Sequence, residues 1–453
     1  MNVLFRSPVG ALLARPWIDG VALTGLRRYL PLSRLWAAAN TVGEELAAFP
    51  QAIGAGERPS FWPASYVRTA LRRNRVARDA SAAARAAWEQ GLFGRDGDAR
   101  VLDWQRRLSA TRHLSTRGMF YPLLFPRRPP TARWQIVPPK QVAHDLAAAM
   151  DDPASLYAVP AATVAFEQST SFEHDGVREY WLRGPTPAAR LRQRAGSERV
   201  YARVVEPVQA APAHTLVFGS GLCLETELLA VARDPGTRLA ELGWRVIEPI
   251  SPYHGLRSMP GYYGGEPFFA ESPTAAIDLV AGQAIESAAL IAWAHARFAG
   301  KVALAGISMT SFVAQQAASY GAAWPAEARP DAVMLISHAG RVDEVTFGGE
   351  LAAVIGLDRA LLDAGWSRAS LARLSTLIDP APQPGLSPSR IVSVLGETDR
   401  WVPYEAGLGL AQQWKLPEQN IFRYPLGHLG MPVQLVRDSA PFERLRQVLD
   451  EKA

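Results

Sequence analysis

The chain has 453 residues, 48% hydrophobic and 20% charged, with one cysteine, eight histidines and a formal net charge of +5. That length accommodates more than one domain. The lone Cys223 excludes an intramolecular disulfide framework and fits a reducing compartment, or a protein that needs no staples; a cytoplasmic setting is expected. No H-E-x-x-H or C-x-x-C string occurs and the histidines are scattered, so neither a metal nor a cofactor is expected.

Residues 1–150 carry roughly 22 Lys/Arg against about 10 Asp/Glu, and the remainder is mildly acidic. Arg68, Arg72, Arg73, Arg75 and Arg78 crowd together, and Arg127 and Arg128 sit among prolines. No nucleic-acid-binding motif accompanies them. They read as solvated helix faces, no nucleic-acid partner is expected, and contact with an anionic membrane surface is the alternative. The first 43 residues contain arginines, Trp17 and Trp36 and almost no acid. Packing of this segment against the body is expected, with a peripheral membrane-binding arm as the second reading. No apolar run is read as reaching the roughly 18 residues of a membrane span. Arg15 interrupts the short run 9–14 before any small-residue cleavage site, so no secretory signal is expected.

Residues 1–155 read as a mostly helical extension. Segments 66–78 and 80–90 are rich in Ala, Leu and Arg, and six prolines between 122 and 139 mark a stiff, irregular connection. From about 160 the texture changes. Runs 162–166 and 200–205 read as short strands, and 215–218 is apolar and ends in Gly219-Ser220-Gly221. Run 245–247 precedes a turn-rich loop over 249–265, and 302–305, 332–336 and 391–395 complete the set. Helix-length segments at 222–242, 274–298 and 311–320 lie between them. Strands apolar throughout, alternating with helices, imply a mainly parallel sheet covered by helices on both faces, with the early strands forming an antiparallel edge. The α/β core is thus expected over 156–340 and 390–453. Residues 341–389 interrupt the rhythm with helical patches at 351–364 and 370–378 and several prolines, and read as an inserted cap.

Function in such a sheet lies at the carboxyl ends of the strands, and three of those ends carry suitable chemistry. Ser308 follows the run 302–305 within Gly306-Ile307-Ser308-Met309-Thr310, a strand, tight turn and helix with a serine at the apex. Asp399 follows 391–395 within Gly396-Glu397-Thr398-Asp399-Arg400-Trp401-Val402-Pro403, and His428 follows 420–424 within Pro425-Leu426-Gly427-His428-Leu429-Gly430. A serine hydroxyl is a poor nucleophile unless held exposed on a strained turn beside a base, and the order nucleophile, acid, base supplies one. Glu397 and Asp343 are rival acids. His338, at the end of 332–336, is the rival base and suits pocket lining better.

With these motifs the segment from about 160 to the end resembles the α/β-hydrolases. The resemblance implies that Ser308 attacks an acyl carbonyl, that His428 takes its proton, and that Asp399 orients His428. It also implies an oxyanion hole from the backbone N–H groups of Met309 and Ser220. Two positions depart from the family pattern: Thr310 stands where a second glycine is usual, and Phe218 precedes Gly219 where many members have histidine. The loop strings Ser251-Pro252-Tyr253-His254-Gly255 and Gly261-Tyr262-Tyr263-Gly264-Gly265 resemble a less-studied α/β-hydrolase domain-containing subgroup with an N-terminal helical extension. Gly219, Gly221, Tyr253, Tyr262, Tyr263 and His338 are the expected pocket residues. The expected activity is cleavage of a carboxylic ester or thioester, on a small acyl or lipid-like substrate under the cap. The alternatives are an inactive hydrolase-fold protein binding acyl lipid or a membrane surface, and an acyltransferase or peptidase using the same triad.

Overall fold

The apolar runs pair into one mixed sheet. The computed structural model describes residues 15, 17–54, 62–125, 128–161, 164–209, 211–222 and 235–451. Among them, ten strands take the order β1-β3-β4-β6-β5-β7-β8-β9-β10, with β2 paired to β3. The antiparallel edge is β1 (Glu167–Gln168), β2 (Phe172–His174), β3 (Val177–Pro185) and β4 (Arg199–Pro207). Beyond it, β5 (Thr215–Gly219), β6 (Arg245–Pro249), β7 (Val302–Ile307), β8 (Ala332–Ile336), β9 (Ile391–Gly396) and β10 (Ile421–Tyr424) run parallel to one another. Strands β5 to β9 are buried at every position, as parallel strands covered on both faces must be. This is the α/β-hydrolase fold expected from the sequence.

Four of the expected elements differ in the structure or fall partly outside the described residues. Residues 164–166 are not strand, and residues 162 and 163 lie outside the described residues. The edge strand β3 has no counterpart in the sequence reading, because Arg178, Glu179 and Arg183 break its apolar pattern. Their charges are matched across the edge: Arg203 on β4 pairs with Glu179 at 2.8 Å and Arg183 with Glu167 at 2.8 Å. The two helical patches at 66–90 form one continuous helix, Ala64–Gly94, ended by Arg95 in the left-handed conformation. Of the segment 222–242, the helix Pro235–Glu241 is seen, and residues 223–234, Cys223 included, lie outside the described residues.

Helix α1 (Trp17–Val42), the short helix Ala48–Ala52, helix α2 (Ala64–Gly94) and the turns of Thr116–Leu124 build a second core, including Leu30, Trp36, Phe49, Leu71 and Phe120. That core extends to Tyr262 and Tyr263 of the loop after β6, to Phe269 of the helix Glu266–Ala270 and to Ile355 of the segment between β8 and β9. Arg34 of α1 is fully buried there, donating to Gly261 O and Ala52 O at 2.7 Å and facing Glu266 at 3.4 Å. The exposed arginines fit the solvated-face reading: Arg68, Arg72 and Arg73 point outward, and Arg75 pairs with Glu44 at 2.7 Å.

One expectation needs correction. Helix α3 (Thr274–Arg297) is long and apolar enough to cross a membrane by length and composition, with a mean hydropathy of 1.5 over its best window. Because 89% of that window is buried, the run serves as the central core helix beside the sheet. The sequence pattern hid it because Asp278, Gln283 and Glu286 punctuate the apolar residues, and each is buried. Glu286 is neutralised by Arg257 through two bonds of 2.8 Å.

Residues 341–389 form four short helices, Val342–Gly348, Glu350–Ile355, Leu357–Asp363 and Arg368–Leu374. The expected single patch at 351–364 is split at Gly356, whose φ of 86° is a left-handed break. Leu361, Trp366, Leu371 and Leu374 pack with Met309, Phe312 and Val313, so this segment lies on the helix that follows Ser308. Tyr157 Oη donates to Leu377 O, Trp366 Nε1 to Val137 O and Thr131 Oγ1 to Ile355 O, which fastens the segment to the N-terminal region.

Candidate active site

Ser308 sits between β7 and helix α4 (Met309–Tyr320) with φ 56° and ψ −117°. That conformation strains any residue with a Cβ. It is over-determined by its neighbours: Ser308 N donates to Ile336 O at 2.9 Å, and Ser311 N to Ser308 O at 2.9 Å. Gly306 lets the helix turn back so tightly, since a Cβ there would lie 2.1 Å from Thr310 O. The two neighbouring strands meet at the same level, Gly219 of β5 opposite Gly306 of β7.

Asp399 lies in the turn after β9, 4% exposed. Its Oδ1 accepts from Trp401 N and Val402 N, both at 3.0 Å. These bonds fix the carboxylate plane and leave Oδ2 for His428 Nδ1, at 2.7 Å. On the other side of the imidazole, Nε2 is 3.0 Å from Ser308 Oγ. With Nδ1–H donated to a carboxylate, Nε2 is the acceptor for the serine hydroxyl. Burial alone would push the His428 pKa down. The Asp399 charge and hydrogen bond, helped by the charge of Asp19, outweigh it and hold the imidazole above its ordinary value. The Trp401 ring stacks on the imidazole at 5.2 Å and 18°.

The structure thus brings Ser308 and Asp399 each within hydrogen-bond reach of His428, and separates the rivals from them. Glu397 is exposed. Asp343 pairs with Arg341 and Arg368 in the segment between β8 and β9, at 2.9 and 3.1 Å. His338 is buried with Nε2 on Ser393 Oγ at 2.8 Å, and burial lowers its pKa to about 3. It is a neutral core histidine rather than a pocket residue.

The expected oxyanion donors and the remaining pocket residues divide. Met309 opens α4, so its N–H is one of the first-turn amides that lack an acceptor within the helix. Ser220 follows β5 and lines a cavity of about 80 Å³ with Phe218, Ile307 and Leu435. Gly219 has a packing reason, since a Cβ on it would strike Thr310 at 2.8 Å. Gly221 is buried beside it. Tyr253 is buried with φ 70° and packs among Met309, Phe312 and Val313. Tyr262 and Tyr263 are displaced from the site: they belong to the N-terminal core, and Tyr263 Oη donates to Thr131 O at 2.7 Å.

Three contributors escaped the sequence reading. Trp401 covers the imidazole, and Gly427 and Asp19 meet beside it. Asp19, on the first turn of α1, accepts from His428 N at 2.6 Å and from Leu429 N at 3.0 Å. Its solitude was the available signal: it is the one acidic residue before Glu44.

No protein-family model and no curated protein matches the chain. Among solved structures it is similar to an acetyl xylan esterase from a Thermoanaerobacterium species, with 14% identity, a TM-score of 0.42 and coverage of 66% of this chain and 91% of that one. A second acetyl xylan esterase, from a Paenibacillus species, gives 14% identity, a TM-score of 0.45 and coverage of 67% and 94%. An S-formylglutathione hydrolase from Agrobacterium tumefaciens gives 14%, 0.37, 64% and 100%.

Proposed function

We propose that the protein is a serine hydrolase that cleaves a carboxylic ester or thioester through an acyl-enzyme. The observation that carries this reading is the pair of bonds at His428, 3.0 Å to Ser308 Oγ and 2.7 Å to Asp399, on a serine held at φ 56°. As Ser308 Oγ attacks the acyl carbonyl, its proton passes to His428 Nε2. The new C–O bond forms as the carbonyl π pair moves to oxygen, where the N–H groups of Met309 and Ser220 would receive the negative charge. Collapse expels the alcohol or thiol, protonated by His428. Water then repeats the sequence in reverse and frees the acid. Asp399 keeps Nδ1–H directed toward itself, so Nε2 is the nitrogen that takes up the proton in each attack and returns it in each collapse.

The apolar insertion over α4 supports an acyl group as the recognised part of the substrate. A fluorophosphonate probe should label the wild-type protein and leave Ser308→Ala unlabelled, and p-nitrophenyl esters of graded chain length should then report pocket depth. Equal labelling of both proteins would dispose of the reading.

A further inference from the structure

Asp19 is the strongest feature that the triad chemistry leaves unexplained. It lies on a helix more than four hundred positions away in the chain from the loop it touches, and it is 6% exposed. Its two oxygens take the N–H groups of two successive residues, His428 and Leu429, immediately before the helix Gly430–Arg437. A carboxylate there also faces the positive end of a helix.

The fit is close. A Cβ on Gly427 would lie 2.2 Å from Asp19 Oδ2, so the base-bearing loop has a glycine where the carboxylate approaches. Burial raises the Asp19 pKa, the two N–H bonds oppose that rise, and the Asp399 charge adds to it. An acid whose folded pKa is raised makes its ionised form a cost to the fold.

We propose that Asp19 is a positioning residue that holds the His428 loop in register with Ser308, so that the N-terminal helix α1 completes the catalytic centre. This rests on the serine-hydrolase reading above. The His428 side chain can meet Ser308 Oγ and Asp399 Oδ2 together only if its backbone is fixed, and the Asp19 clamp fixes it at the residue itself and at the next one. Two carboxylates then face the imidazole, Asp399 along Nδ1 and Asp19 from the backbone side, with the neutral Trp401 ring and the Ser308 hydroxyl as its other neighbours. Removing the Asp19 charge loosens the loop and lowers the pKa of the base together.

The test uses the full chain and three proteins: wild type, Asp19→Asn and Gly427→Ala. In steady-state ester hydrolysis, Asp19→Asn should lose about ten- to a hundredfold in kcat, the range for a misplaced catalytic group, with KM nearly unchanged. The acidic limb of its kcat/KM profile should move to lower pH by on the order of half a unit. A role confined to folding would not move that limb. Gly427→Ala, which keeps the carboxylate but pushes it off the amides, should reproduce the kcat loss. It guards against an unfolded Asp19→Asn, and far-ultraviolet circular dichroism reports folding of both. The proposal is overturned if Asp19→Asn keeps kcat within twofold, if the limb stays in place, or if Gly427→Ala is fully active. If wild type itself neither labels with fluorophosphonate nor turns over ester, the hydrolase reading falls and takes this one with it. A labelled wild type with unaffected variants removes the positioning role alone.

Discussion

Thr310 fills the space that a side chain on Gly219 would need: a Cβ at Gly219 would come within 2.8 Å of both Cβ and Oγ1 of Thr310. The threonine that departs from the usual glycine is thus matched by a glycine on the neighbouring strand. Its hydroxyl accepts from Ile307 N and donates to Ile307 O, both at 3.1 Å, which ties the first turn of α4 to the end of β7. Gly219→Ala should therefore cost about 1–3 kcal/mol through overpacking and slow ester turnover. In a Thr310→Gly background the same change should cost at least about 1 kcal/mol less, as expected for residues in contact. Urea unfolding of the four proteins measures the coupling, and additive losses would show that the two sites are independent.

The strain at Ser308 sets activity against stability. Ser308→Ala should abolish turnover, by about a millionfold if it acts as other triad nucleophiles do, without changing the fold. Ser308→Gly should be equally inactive yet more stable than wild type by about 1 kcal/mol, because glycine adopts φ 56° without the cost that a Cβ imposes. Denaturant midpoints compared at constant slope decide this; a glycine variant less stable than wild type contradicts it.

The pH profile follows from the direction of the His428 shift. The base must be neutral to accept the serine proton, so kcat/KM should rise with pH through a pKa above the ordinary histidine value. Asp399→Asn removes the principal cause of that elevation and the acceptor for Nδ1–H. Turnover should fall by roughly a thousandfold or more and the limb should move to lower pH. An unchanged limb in that variant would mean that another group governs the profile.

The contrast between what was legible and what was not has a physical basis. Ser308, Asp399 and His428 each close a short apolar strand, and their order along the chain announces them, because local strand-turn context is written in consecutive residues. The parallel strands were readable for the same reason, being buried on both faces and hence apolar throughout. Asp19, Trp401 and Gly427 act through contacts that only the assembled chain creates, the Asp19 bond to His428 spanning 409 positions. Tyr262 and Tyr263 were misassigned because an aromatic pair beside glycines reads alike whether it lines a pocket or anchors a loop. Their partners, Thr131 and the α1 core, lie far upstream. The charged edge strand β3 was invisible because its acid, Glu179, finds its cations on β4 and on the helix Ala99–Ser115.

The segment between β8 and β9 should carry its own pH dependence. Asp379, near its end, accepts from Val342 N at 2.8 Å, at its beginning, and from Ser375 Oγ at 2.8 Å. Burial raises its pKa to about 6, against the opposing bonds from Val342 and Ser375. In the unfolded chain the same carboxyl titrates near 3.8. Between those values the folded protein holds the proton that the unfolded chain has released, so stability falls as pH rises through the interval and stays lower above it. Asp379→Asn preserves an acceptor for Val342 and a partner for Ser375 while removing the charge. It should leave the melting temperature unchanged near pH 3 and raise it at pH 7.5, by the equivalent of about 1 kcal/mol once partial solvent contact is allowed for. Differential scanning calorimetry at the two pH values separates charge from packing, since a packing effect would shift both melting temperatures by the same amount.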